Sequence, residues 1–232
     1  MSKDLKDDRK KFDRSVKYTF SFVILIWSLK LVEVAFHLDF GVLGILPRTV
    51  EGSIGIFTAP LIHGDFYHLL SNTFPLIILG FGLFYFYDKI ALHVIFLIYL
   101  MTGFWVWIAA RNAYHIGASG IVYGLLTFLL LSGFLRRDKN TLAISFVILV
   151  LYGGSFLVGV IPTRAGISWE SHLMGAIAGV FCAIYFRKSN VEISKRLNKV
   201  EDYEFDFHYD YIEKSKEVAP RTYSYKIDSD KL

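Results

Sequence analysis

Three short stretches of this chain carry residue types that can perform acyl-transfer chemistry. The first reads His63-Gly64-Asp65-Phe66-Tyr67-His68-Leu69-Leu70-Ser71-Asn72. The second reads Gly117-Ala118-Ser119-Gly120, with Tyr123 one turn further on. The third reads Ser171-His172-Leu173-Met174-Gly175-Ala176, followed by Gly179. A serine beside a histidine is the smallest set for nucleophilic catalysis. The imidazole takes the hydroxyl proton as the oxygen attacks a carbonyl, then returns it to the leaving amine. The charge that develops on the carbonyl oxygen needs fixed N–H donors. Asn72 offers a carboxamide, His68 a ring N–H, and Ser119 its own backbone N–H. The glycines on both sides of Ser119 let another backbone or a substrate strand approach closely. No acidic third member is evident, because Glu170 is two residues from His172 and faces elsewhere on a helix. The residues therefore read as a Ser119–His172 dyad. Tyr123, four residues past Ser119 on the same face, can stack on the imidazole.

The elements that must position these groups follow from composition. Of the 232 residues 54% are hydrophobic, 17% aromatic and only 20% charged. The charges crowd residues 1–17 and 187–232. That much apolar surface has no place in a single soluble core. The pattern excludes a disordered chain, a disulfide scaffold (Cys182 is the one cysteine) and a nucleic-acid binder. A bilayer core of about 30 Å needs roughly 20 apolar helical residues. The stretches 18–38, 66–87, 90–110, 112–135, 140–163 and about 165–186 meet that need, which predicts an all-α membrane protein of six transmembrane helices. Lys30 and Glu33 interrupt the first span three residues apart and can pair on one helix face. The organisation expected is a cytosolic N-terminal segment (1–17), a six-helix domain (18–187) and a cytosolic tail (188–232). Basic residues concentrate at the two ends and the even turns, which places both termini inside. The first outer loop, about 39–65, is apolar and glycine-rich and is expected to lie partly in the membrane interface.

In this topology the three polar stretches open the even-numbered spans at one face, so their depths can be compared. At 1.5 Å per residue, Ser119 lies about 25 Å from the inner boundary at Arg136, His172 about 22 Å from Arg187, and Asn72 about 24 Å from Asp88. A hydroxyl, an imidazole and a carboxamide thus share one layer below the outer surface. Each element alone has a plainer reading. Gly120 with Gly124, and Gly175 with Gly179, are spaced for helix packing. A lone histidine or asparagine in a span can be a hydrogen-bonded packing residue. Matched depth, order and type together favour chemistry.

With these residues in view, the sequence resembles the rhomboid family of intramembrane serine proteases over about residues 18–187. The resemblance rests on H-x-x-x-N (His68, Asn72), G-x-S-G (Gly117, Ser119, Gly120) and H-x-x-G-A-x-x-G (His172, Gly175, Ala176, Gly179). It implies a six-helix bundle with a water-filled cavity, Ser119 as nucleophile and His172 as general base. His68, Asn72 and the Ser119 amide would hold the oxyanion, with an aromatic at Tyr123 packed on the histidine. His63 matches a further family histidine, structural or water-retaining. The fifth span and the loop near Thr163–Trp169 would form a substrate gate. Many rhomboids carry a Trp-Arg pair in the first outer loop, where this chain has Ile54-Gly55-Ile56-Phe57. The expected partners are the lipid bilayer of a bacterial plasma membrane and single-pass transmembrane substrates. No metal site and no cofactor are expected. The rival readings are a catalytically inactive relative that binds transmembrane segments, and a small transporter.

Overall fold

In the computed structural model the described residues are 3–136, 142–143, 146–147, 149–150, 159–162 and 168–189. The chain divides into units 1–195 and 196–232, and every described residue belongs to the first. The helices lying wholly among the described residues are α1 (Lys3–Ala35), the single turn α2 (Gly55–Thr58), α3 (Phe66–Phe86), α4 (Ala91–Ala109), α5 (Ser119–Arg136) and α6 (Trp169–Tyr185). Four of them, α1, α3, α4 and α5, are long and apolar enough to cross a membrane. At 17 residues α6 is shorter than these four. Most of the predicted 140–163 span, the gate loop before residue 168 and the tail beyond residue 189 lie outside the described residues.

Two boundaries differ from those read in the sequence. The charged N-terminal segment is not separate from the first span: α1 runs unbroken through it. Its lysines, arginines and aspartates solvate an exposed face, while Ser15 and Thr19 are buried against the bundle. Phe12 meets Phe81 edge to face, Tyr18 stacks on Phe84, and Arg14 pairs with Asp88 at 3.4 Å. Tertiary contact on one face therefore extends the helix past the apolar run. The other difference is at the fourth span, where α5 begins only at Ser119. Residues 111–118 form a bent, non-helical segment instead, in which His115 exchanges two backbone hydrogen bonds of 2.9 Å with Ile45 of the outer loop.

That outer loop is built of short helical turns, Phe40–Leu43, Glu51–Ile54, α2 and Ala59–Leu61. Within the Ile54–Phe57 stretch, Phe57 O accepts from the Tyr99 hydroxyl of α4, and further anchors lie on either side. The Arg48 guanidinium donates to the carbonyls of Ile108 (3.2 Å) and Ala110 (2.7 Å), satisfying the C-terminal end of α4. Trp107 Nε1 donates to Thr49 O at 2.9 Å. At its start, Glu33 accepts the Phe40 N–H at 3.0 Å while pairing with Lys30 at 2.8 Å. Lys30 Nζ also donates to the carbonyls of His63 (3.0 Å) and Gly64 (2.9 Å). Its three protons thus meet three acceptors, which is what makes an ammonium tolerable when only 8% exposed.

The core is a cluster of Leu76, Leu79, Leu83, Ile98, Leu125, Phe128, Leu129 and Ala178 with their neighbours from α3, α4, α5 and α6. The closest approach is between α5 and α6. A Cβ on Gly175 would lie 2.0 Å from Gly120 O, and one on Gly179 would lie 2.1 Å from Gly124 O. Small residues let these backbones touch. The Thr127 hydroxyl donates across the same seam to Ala176 O at 2.9 Å.

Candidate active site

Ser119 is the first residue of α5 and His172 lies in the first turn of α6. The glycine seam brings the two helix starts together, and Ser119 Oγ lies 2.8 Å from His172 Nε2. The other ring nitrogen, Nδ1, lies 2.8 Å from Gly159 O. A carbonyl oxygen can only accept, so Nδ1 carries the proton and Nε2 is the bare acceptor for the Ser119 hydroxyl. This is the tautomer a general base requires, and a backbone carbonyl fixes it in place of a carboxylate. Tyr123 lies parallel to the imidazole, with ring centroids 4.2 Å apart and planes 7° from parallel. That stack holds the ring plane while the two hydrogen bonds hold its rotation.

His68 and Asn72 come from the outer end of α3. Asp65 caps that helix, accepting His68 N–H at 2.7 Å. A Cβ on Gly117 would lie 2.6 Å from both Nε2 and Cε1 of His68. Gly117 also has φ +106°, a conformation L side chains rarely adopt. The residue must be glycine on both counts, and the His68 ring is thereby seated against the loop that delivers Ser119. Asn72 is buried, and one amide hydrogen donates to His68 O at 2.9 Å. Its second hydrogen remains for another acceptor. Glu170 is buried and pairs with Arg111 at 3.5 Å, while His172 Nδ1 is held by Gly159 O instead.

His63 backs this arrangement. Its ring meets His68 edge on, with centroids 5.0 Å apart, and its Nε2 accepts the Ala118 N–H at 3.4 Å. The ring is 1% exposed. Burial first, and then the neighbouring His68, push its pKa down to about 3. The fold therefore favours neutral His63. The stability this contributes is complete above the ordinary value of 6.5 and is lost as pH falls toward about 3. Melting temperature in detergent is expected to drop between about pH 6.5 and pH 4. The His63→Gln variant, which can still accept from Ala118, should show a flatter profile; an unchanged slope would contradict this account.

One polar residue near the site carries no mark in the sequence reading. His115 is 1% exposed and lies between α4 and α5. Its Nδ1 is 2.6 Å from Ser168 Oγ, and Ser168 Oγ is 2.6 Å from Ser171 Oγ. The stretch 112–135 has no charge to mark a break, so nothing set His115 apart from the span.

A family model for the Rhomboid domain matches residues 51–189, which include all the residues of the site. The chain is 36% identical over 177 residues to an uncharacterized protein of Mycobacterium tuberculosis, covering 70% of this chain and 71% of the relative. An uncharacterized protein of Mycobacterium bovis matches to the same extent. One of Mycobacterium leprae is 32% identical over 173 residues, covering 70% of this chain and 68% of the relative. With its apolar helices and its matched domain, this multi-pass membrane protein belongs to the rhomboid family.

Proposed function

We propose that this protein is an intramembrane serine endopeptidase that cuts transmembrane helices near the membrane face at which α5 and α6 begin. The observation that carries the reading is the Ser119–His172 hydrogen bond with its tautomer set by Gly159 O. Ser119 Oγ attacks a backbone carbonyl and His172 Nε2 takes its proton. The resulting oxyanion sits against the Ser119 N–H, the His68 ring and the free Asn72 amide hydrogen. His172 then gives the proton to the leaving amine, and water hydrolyses the acyl-enzyme by the same route. A peptide bond inside a helix is shielded by its own hydrogen bonds, so substrates are expected to carry small or helix-destabilising residues near the cut. Both reacting side chains are partly exposed, as access for substrate and water requires. The bacterial source of the relatives supports a bacterial plasma membrane as the location. The distribution of basic residues supports six spans with both termini cytosolic.

The test is reaction of the purified wild-type protein with a fluorophosphonate, read by mass spectrometry, beside cleavage of a single-pass substrate in liposomes. Labelling at Ser119 together with cleavage supports the proposal. Absence of both would point to an inactive, helix-binding relative. Solute flux through the protein in the same liposomes would point to a transporter.

Gly159 gives a sharper expectation. A Cβ there would lie 1.9 Å from the Tyr123 hydroxyl and 2.9 Å from His172 Nδ1. The Gly159→Ala substitution must displace the ring that stacks on His172 or the carbonyl that holds Nδ1. Labelling and cleavage rates are expected to fall together by roughly ten- to a hundredfold, the scale of a misplacement of about 1 Å. Wild-type rates would show that the carbonyl does not orient the base.

A further inference from the structure

The structure assigns His115 and Ser168 as positioning residues that set the gap between the starts of α5 and α6. This deepens the proposed function and rests on Ser119 and His172 being the reacting pair. The geometry is a ladder. His115 and Ser168 are 53 residues apart in sequence, and so are Ser119 and His172. Each anchor therefore precedes its reacting partner by four residues: Ser168 caps α6 one turn before His172, and His115 lies in the non-helical segment that leads into Ser119. On the other side of the Ser119–His172 pair lies the backbone contact of Gly120 with Gly175. The reacting pair is thus held between a polar rung and a glycine rung.

The polar rung has a defined direction. His115 Nε2 is 3.0 Å from Arg111 O, an acceptor, so Nε2 carries the proton. Nδ1 must then accept from the Ser168 hydroxyl, and Ser168 in turn accepts from Ser171. Ser171 adjoins His172 in the chain. His115 is itself fixed by its two backbone bonds to Ile45, so the rung is tied to the outer loop and cannot slide. Desolvation keeps its imidazole more acidic than an exposed histidine, consistent with the neutral tautomer. The Arg111–Glu170 pair beside it joins the same two segments.

The test uses the full-length protein in detergent, with three readouts: the rate of fluorophosphonate labelling at Ser119, the melting temperature, and the 15N resonances of His172. The last report its hydrogen bonds whether or not the protein reacts. In His115→Leu and Ser168→Ala the labelling rate is expected to fall about tenfold or more, with shifted His172 resonances. The double variant should be no slower than the worse single one, because the two residues form one connection. His115→Gln can donate to Arg111 O and accept from Ser168, and should restore most of the rate. Equal loss in His115→Gln and His115→Leu, or wild-type labelling and resonances in His115→Leu, would overturn the assignment. A wild-type protein that never labels, but whose His172 resonances move in His115→Leu, would overturn the protease reading and leave the positioning role standing.

Discussion

The Ser119→Ala variant is expected to lose cleavage of a transmembrane substrate by about ten-thousandfold or more, as removal of a nucleophile does in serine hydrolases. His172→Ala should lose about as much. The double variant should be no worse than either, because a nucleophile without its base and a base without its nucleophile are equally idle. The structure makes this a clean comparison. Ser119 is the first residue of its helix, so alanine removes only the hydroxyl while the backbone N–H stays in place. His172 Nδ1 keeps its bond to Gly159 O in that variant, so the imidazole should not wander. Helical content and melting temperature should therefore match wild type. The measurement is single-turnover cleavage in liposomes. If Ser119→Ala cleaved within tenfold of wild type, a different nucleophile would be at work.

The next largest effect is expected at Gly175. A methyl group there would lie 2.0 Å from Gly120 O, 2.8 Å from Gly120 C and 3.0 Å from its Cα. These are backbone atoms of the facing helix, which no side-chain rotation can clear, so α5 and α6 must separate by roughly 1 Å to restore ordinary contact. The Ser119–His172 bond lies within one turn of that point. Gly175→Ala is expected to cost about 1–3 kcal/mol of stability by overpacking and roughly a hundredfold in cleavage rate by stretching the dyad. Gly64→Ala is the control, since its Cβ would meet only Ile116 Cδ1 at 3.8 Å. Comparable losses in both variants would show that the seam has no special role.

How far the sequence reveals this site depends on which kind of atom does each job. Side chains that are costly in a membrane announce themselves, so Ser119, His172 and Asn72 stand out at one expected depth, with His68 one turn further out. Tyr123 was predicted to stack from its four-residue spacing, and it does. Lys30 and Glu33 were predicted to pair, and they do. The orienting group for His172 was not legible, because it is the Gly159 carbonyl and every residue has a carbonyl. Nor was His115, whose partner Ser168 lies 53 residues away in sequence. Helix limits were legible where apolar runs end at charges: 66–87 and 90–110 correspond to Phe66–Phe86 and Ala91–Ala109. They failed where tertiary contact decides, at the charged first turns of α1 and at the non-helical segment before Ser119, which His115 bridges to Ile45.

The three-acceptor seat of Lys30 also bears on the order in which the chain can assemble. Two of its acceptors, the carbonyls of His63 and Gly64, are 33 and 34 residues downstream. A nascent first helix entering the bilayer has only Glu33 to offset the ammonium. Its settled place exists only after the outer loop as far as Gly64 has been synthesised and has folded back on α1. The i,i+3 pair is thus a waiting form, completed by the loop that leads into α3.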